Sequence, residues 1–425
     1  MLDLILRKAN LPDGRRGVDI AVEGGRIAEV GPAIEAAARR EIDAAGRLAT
    51  PPFVDAHFHL DSVLTLTGDR RNESGTLLEG IRLWAELKPH LTVEEIKRRA
   101  LAFCRWSIAR GNLAIRSHVD ISDDRLSAVD ALLEVKREMA PWIDIQLVAF
   151  PQDGFFRYPR ARENLLRALD KGVEVVGGIP HFERTMADGA LSVRALAEIA
   201  AERGLRIDMH CDESDDPLSR HVETLAAETV RLGLQGRVTA SHVTSMHSMD
   251  NYYATKLIAL MREAALHVVA NPLINITLQG RQDSYPKRRG LTRVKELMAA
   301  GVNVAMGHDC AVDPWYPLGS HDMLEVASMG LHVGQMTGVA EMRRCFDAVT
   351  VNAAKALGLE GYGLEPGSKA DFVLLQAADP IEALRLRPAR LVVVRRGQVI
   401  AETSPVEATL SLGHERATVD FTKPA

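Results

Sequence analysis

Hydrophobic positions change their period twice along the chain. Over residues 1 to 50 they fall in short alternating runs broken by Gly-rich turns: LDLILRKANLPDG, then GVDIAVEGGRIAEVGP, then GRLATPP. Alternation at period two between turn residues predicts strands. KADFVLLQ and ARLVVVRRGQVIAE repeat the style near the other end, so the two ends are expected to pair into one small β-sandwich. Between them, short apolar runs alternate with helical-period segments. Eight runs stand out: FVDAHFHLD, LAIRSHVD, IDIQLVAFPQ, VEVVGGIPH, RIDMHCDE, RVTASHV, LHVVANP and VNVAMGHD. Segments such as SVRALAEIAAERG and TRVKELMAAG carry apolar residues at helical spacing and stop at glycine. The pattern predicts an α/β chain with a (β/α)8 TIM-type barrel over 51–357. The small β-sandwich is assigned to 1–50 and 358–425.

Composition narrows this picture without changing it. A chain of 425 residues with 46% hydrophobic content can bury a large core. The net charge of -5 comes from interspersed acids and bases, which argues against a nucleic-acid partner. No apolar stretch approaches the roughly 20 residues that span a bilayer, and MLDLILRKANLPDG has no leader-like order of charge, apolar core and cleavage site. A cytoplasmic protein with no membrane partner is expected. Cys104, Cys211, Cys310 and Cys345 show no paired spacing, so reduced thiols are the default.

The chemistry lies where the runs end. In VDAHFHLD, period-two spacing sends His57 and His59 to one side of a strand. His210 and Glu213 close the fifth run, His242 the sixth and Asp309 the eighth, while Gln152 closes the third. Barrel enzymes place catalytic groups at these strand ends. Histidines converging with an aspartate make a divalent site of N and O ligands, suited to zinc or ferrous iron. Other polar residues have plainer readings. His118, His181 and His247 are expected as hydrogen-bonded core or supporting groups. Asp212, Asp215 and Asp216 read as a solvated acidic turn capping the next helix, whereas Glu213, three residues beyond His210, is close enough to act on substrate. Leu77, Phe150 and Trp315 are candidate apolar contacts to a bound ring.

These residues carry a resemblance. FVDAHFHLD, HCDESDD, ASHVTSMHS, the block from VANPLINITLQG to VNVAMGHD, and DPWYPLGSHDMLEVASMGLH are similar to the bacterial cytosine deaminase family of the amidohydrolase superfamily. The likeness runs through essentially the whole chain. It implies that His57, His59, His210 and Asp309 bind one metal and that His242 contacts the attacking water. It further implies that Glu213 shuttles a proton to the ring nitrogen, while Gln152 pairs with the amide edge of a pyrimidine. Binuclear relatives carry a bridging lysine on strand four, but VEVVGGIPH has none, which fits a mononuclear deaminase better than a cyclic-amide hydrolase. The implied reaction is hydrolytic deamination of cytosine or 5-methylcytosine, with Fe2+ or Zn2+ and a homo-oligomeric assembly. Isoguanine, isocytosine and creatinine present a related edge and stand as alternative substrates; a non-catalytic metal-binding scaffold would not need Glu213.

Two positions depart from the family pattern. The usual GHDD reads GHDC, so Cys310 replaces an acid, and NIHLQG reads NITLQG, with Thr277 replacing histidine. A thiol behaves as a small hydrophobe, which suggests a pocket that accepts a C5 methyl.

Overall fold

The computed structural model describes residues 1–66 and 71–423. Strands β1 (Leu2–Ala9), β2 (Val18–Glu23), β3 (Arg26–Gly31) and β4 (Ala38–Asp43) form one sheet in the order β3-β2-β1-β4. Strand β5 (Leu48–Thr50) crosses to a second sheet, where it pairs with β14 (Phe372–Leu375), followed by β15 (Arg390–Arg395) and β16 (Gln398–Glu402). Leu4, Leu6, Ile20, Val22 and Ile27 share one core with Phe372, Leu374, Val392 and Val394. The chain ends therefore meet, as their alternating pattern predicts. Sequence patterning misses β4, whose ARREID is charged and mostly exposed at a sheet edge, and the exposed hairpin β17 (Ala408–Leu412) to β18 (Glu415–Val419).

The eight apolar runs form eight parallel strands: β6 (Phe53–Phe58), β7 (Asn112–Asp120), β8 (Asp144–Phe150), β9 (Val175–Gly178), β10 (Arg206–Cys211), β11 (Val238–His242), β12 (His267–Ala270) and β13 (Asn303–Met306). They pair in sequence order, and a bridge between Phe58 and Asp309 joins the last to the first. Helices cover the outside, so even polar strand residues are enclosed; all nine residues of β7 are buried. Helix boundaries follow local chemistry: Met186–Arg203 begins where Thr185 accepts from the Asp188 N–H and ends at Gly204, which takes φ 67°. Among the described residues no helix is long and apolar enough to cross a membrane.

A buried ion pair ties the second small sheet to the barrel. Asp322 caps the Met323–Val333 helix through the Leu324 N–H, and Arg390 of β15 grips both its carboxylate oxygens. Burial alone would raise the Asp322 pKa, but Arg390 outweighs it and holds the carboxyl below its ordinary value. A depressed carboxylate stabilises the fold above its unfolded pKa, about 3.9, and loses that contribution as pH falls through the folded pKa. Arg390→Met should therefore destabilise the protein by about 3–5 kcal/mol at pH 7. The deficit should shrink as pH falls below about 3.9, because Asp322 that has lost Arg390 takes up a proton and its uncompensated charge disappears; urea denaturation midpoints at pH 7 and pH 3 measure it.

Candidate active site

The barrel closes through the residues singled out by the histidine pattern. The His59 N–H donates to the Asp309 carbonyl at 3.0 Å, and the Asp309 N–H donates to the His57 carbonyl at 2.9 Å. Below them, Asp55 accepts from the backbone N–H groups of His57 and His308 and contacts His321 Nε2 at 2.8 Å. Main chain thus presses the first and eighth strands together and aims their side chains at one point. Asp309 and His242 take left-handed backbone conformations, φ 72° and 70°, at the strand-to-loop turns.

His57 Nε2 lies 3.5 Å and His59 Nε2 3.6 Å from Asp309 Oδ1, and His59 Nε2 lies 3.0 Å from His210 Nε2. His242 Nε2 is 3.8 Å from Asp309 Oδ2. Four ligands held at about 2.0–2.2 Å from a tetrahedral ion stand about 3.3–3.6 Å apart. Both nitrogens of His57, Nδ1 of His210 and Oδ2 of Asp309 are buried without a hydrogen-bond partner. Such orphans in a set of N and O donors fit a divalent cation. Burial keeps His210 and His242 well below their ordinary pKa and His59 near 4, so these imidazoles are neutral, the form that binds metal. Burial would also lower His57, but Asp309 prevails and raises it. For Asp309, the surrounding histidines outweigh burial and hold the carboxyl well below the usual range.

Above this cluster is a cleft open to solvent at its mouth, with about 580 Å³ of empty space when that opening is counted. His59, His210, Glu213, His242 and Asp309 open onto it, as do Gln152, Leu77, Cys310 and Trp315. Phe150 does not. It stacks on His210, ring centroids 4.1 Å apart at 16°, and supports that ring from the side. Thr277 is also outside the wall, donating to the Ile274 carbonyl. Burial, then the proximity of Asp309, holds the Glu213 carboxyl well above its ordinary pKa. Burial raises the Cys310 thiol as well, so its side chain is neutral.

Asp212 and His181 differ from their sequence expectation, whereas His247 and His118 keep the supporting or core place expected of them. Asp212 is not solvated: it is fully buried and accepts from Ser219 Oγ and the His221 and Val222 N–H groups, capping the His221–Arg231 helix. His247 pairs with Asp215 at 3.1 Å, a supporting contact. His181 joins the cleft wall beside Ile179 and Phe182. His118 is fully buried against His57, centroids 4.2 Å apart, with Nε2 3.6 Å from Asp208 Oδ1. Asp208 in turn pairs with the fully buried Arg116 at 2.9 Å, placing a charged but neutralised pair against the histidine cluster. Asn275 Nδ2 lies 2.9 Å from His242 Nδ1 and fixes that ring; the only sequence signal was its place in VANPLIN, where a helix follows a strand end. On β9, a Cβ at Gly177 would stand 2.5 Å from the Ala149 carbonyl oxygen, which leaves no room there for a bridging lysine.

The whole fold has counterparts among known proteins. The 5-methylcytosine deaminase of Klebsiella pneumoniae, solved with phosphonocytosine, superposes with a TM-score of 0.91 at 43% identity, covering 94% of this chain and 98% of that one. The N-isopropylammelide isopropylaminohydrolase of Burkholderia multivorans superposes with a TM-score of 0.83 at 31% identity, covering 95% and 99%. The N-isopropylammelide isopropyl amidohydrolase of Pseudomonas sp. (strain ADP) is 30% identical over 417 residues, 96% of this chain and 99% of that one. The amidohydrolase family profile matches residues 40–413, and the chain belongs to the amidohydrolase family.

Proposed function

We propose that the protein hydrolytically deaminates a free pyrimidine base, with 5-methylcytosine preferred over cytosine. The observation that carries this reading is the convergence of Gln152, Glu213, His242 and Asp309 on one cleft whose remaining wall is apolar, Cys310 included. The 43% identity to a 5-methylcytosine deaminase supports it. His57, His59, His210 and Asp309 would hold one divalent ion per chain, Fe2+ or Zn2+. Such an ion, when bound, acts as a Lewis acid that lowers the pKa of water from about 15.7 toward 7.

The side chains supply the rest. Gln152 offers a carbonyl to a ring N–H and an amide N–H to a ring carbonyl, which selects an N–H/C=O edge. Asp309 and His242 orient the attacking water and accept its proton, with Asn275 holding the His242 ring. Glu213 delivers a proton to the ring nitrogen beside the attacked carbon, so negative charge does not accumulate there. The new carbon–oxygen bond forms, the carbon–nitrogen bond breaks, and the amino group leaves as ammonia. Cytosine gives uracil and 5-methylcytosine gives thymine. A homo-oligomeric cytoplasmic assembly is part of the same proposal.

The reaction is tested by ammonia release from cytosine, 5-methylcytosine, isoguanine, isocytosine and creatinine, and by isopropylamine release from N-isopropylammelide, compared as kcat/KM. Highest activity on a pyrimidine base is expected; a preference for N-isopropylammelide would move the protein toward its amine-releasing relatives. Glu213→Gln should retain one metal per chain by elemental analysis while losing about 100- to 10,000-fold in kcat. His210→Ala should lose the metal. Cys310→Asp should lower kcat/KM for 5-methylcytosine about 10- to 200-fold more than for cytosine, because a charged wall disfavours the methyl group. Equal losses on both bases would show that position 310 does not read C5.

A further inference from the structure

Lys88 follows the Leu77–Leu87 helix, which lies over the cleft and contributes Leu77, Leu78 and Ile81 to its wall. The helix rests closely on Trp315: a Cβ at Gly80 would stand 2.6 Å from Trp315 Cδ1. Its far end is pinned by charge. Lys88 Nζ lies 2.6 Å from Asp153 Oδ2 and 3.2 Å from Asp120 Oδ2, with its side chain only 12% exposed. The same Asp120 oxygen accepts from Trp84 Nε1 at 2.8 Å, so helix and ammonium converge on one carboxylate.

The two carboxylates belong to different strand ends. Asp120 ends β7, where its backbone N–H donates to Asp61 and its Oδ1 accepts from the Ser122 N–H. Asp153 follows Gln152 directly, in a turn closed by the Gly154 N–H to Pro151 carbonyl bond at 2.9 Å, and its own N–H donates to Ser122 Oγ. Burial would lower the Lys88 pKa, but Asp120 and Asp153 outweigh it and keep the ammonium charged. Without that charge, the buried Asp120 carboxylate and the partly exposed Asp153 carboxylate would face each other beside the turn that carries Gln152. Like charges in such surroundings repel strongly.

We propose that Lys88 is a positioning residue for substrate recognition, clamping the Pro151–Asp153 turn to the roofing helix so that Gln152 presents its amide to the pyrimidine edge. The inference rests on the assignment of Gln152 to that edge. Among the described residues the Lys88 ammonium bonds only to Asp120 and Asp153, and it does not line the cleft, so it acts on binding without touching the reacting atoms. Its loss therefore separates KM from kcat.

The test is steady-state kinetics on 5-methylcytosine and cytosine with the full-length, metal-loaded protein. Lys88→Met should raise KM about tenfold or more while kcat stays within about threefold and metal content is unchanged. Lys88→Arg, which can still bridge both carboxylates, should restore most of the affinity. In a Gln152→Ala background, Lys88→Met should add little, because the residue it positions is already gone. If Lys88→Met raises KM equally with and without Gln152, or leaves KM unchanged, the proposal is overturned. Should Lys88→Met fail to fold, Asp153→Asn keeps the Lys88–Asp120 pair and must show the same KM shift and the same dependence on Gln152. A wild-type protein inactive on every pyrimidine base would instead overturn the function assigned above.

Discussion

Closure of the barrel between its first and eighth strands is the constraint on which the site depends. Two backbone hydrogen bonds, His59 N–H to Asp309 and Asp309 N–H to His57, join the residues whose side chains form the cluster. Strand pairing and donor geometry are therefore one property. Asp55 secures the seam from beneath by accepting from the His57 and His308 N–H groups and meeting His321, so a buried carboxylate outside the cleft sets the spacing of the cluster that opens onto it. The positive φ of Asp309 and His242 is the local strain that this closure sustains.

Burying so many ionisable groups is unfavourable unless each is neutral or paired. The chain uses both solutions. Most of the cluster's imidazoles are held neutral by burial, while Asp309 remains charged because histidines surround it. Beneath them, the Arg116–Asp208 pair leaves no net charge under the ligands. Phe150 and His118 then pack the sides of the rings, restricting rotation with little added polarity. A stiff set of mostly neutral imidazoles around one charged carboxylate is prepared for a cation before one arrives.

Most of the barrel was legible because its strands are continuous apolar runs ending in polar residues, a pattern that parallel strands buried on both faces must produce. The cluster was legible for the same reason: His57, His59, His210, His242 and Asp309 all lie at run ends. What escaped reading depends on contacts between distant segments. Nothing local distinguishes Asp212, a fully enclosed helix cap, from Asp216, its exposed neighbour, because burial comes from Ser219 and His221 folding back over it. Strand β4 escaped because an exposed edge strand need not be apolar. Phe150 sits at a strand end like the site residues, yet the next ring, His210, takes up its face. Asn275 needed the tertiary fold to meet His242.

Recognition in this cleft is divided between parts of unequal rigidity. The seam and cluster are fixed by main-chain hydrogen bonds, whereas Gln152 stands on a turn and Leu77, Leu78 and Ile81 on a helix joined to the barrel largely by side chains. Chemistry that any amino-heterocycle would undergo is thus built into the strands, and the choice among rings is left to the loops. Exchange of one wall group, such as a thiol for a carboxylate at position 310, changes discrimination by only about 1–3 kcal/mol. That is enough to redirect substrate preference while leaving the seam and the His/Asp cluster untouched. Relatives 30–43% identical over nearly the whole chain, bearing the names of different heterocycle hydrolases, are what such a division of labour permits.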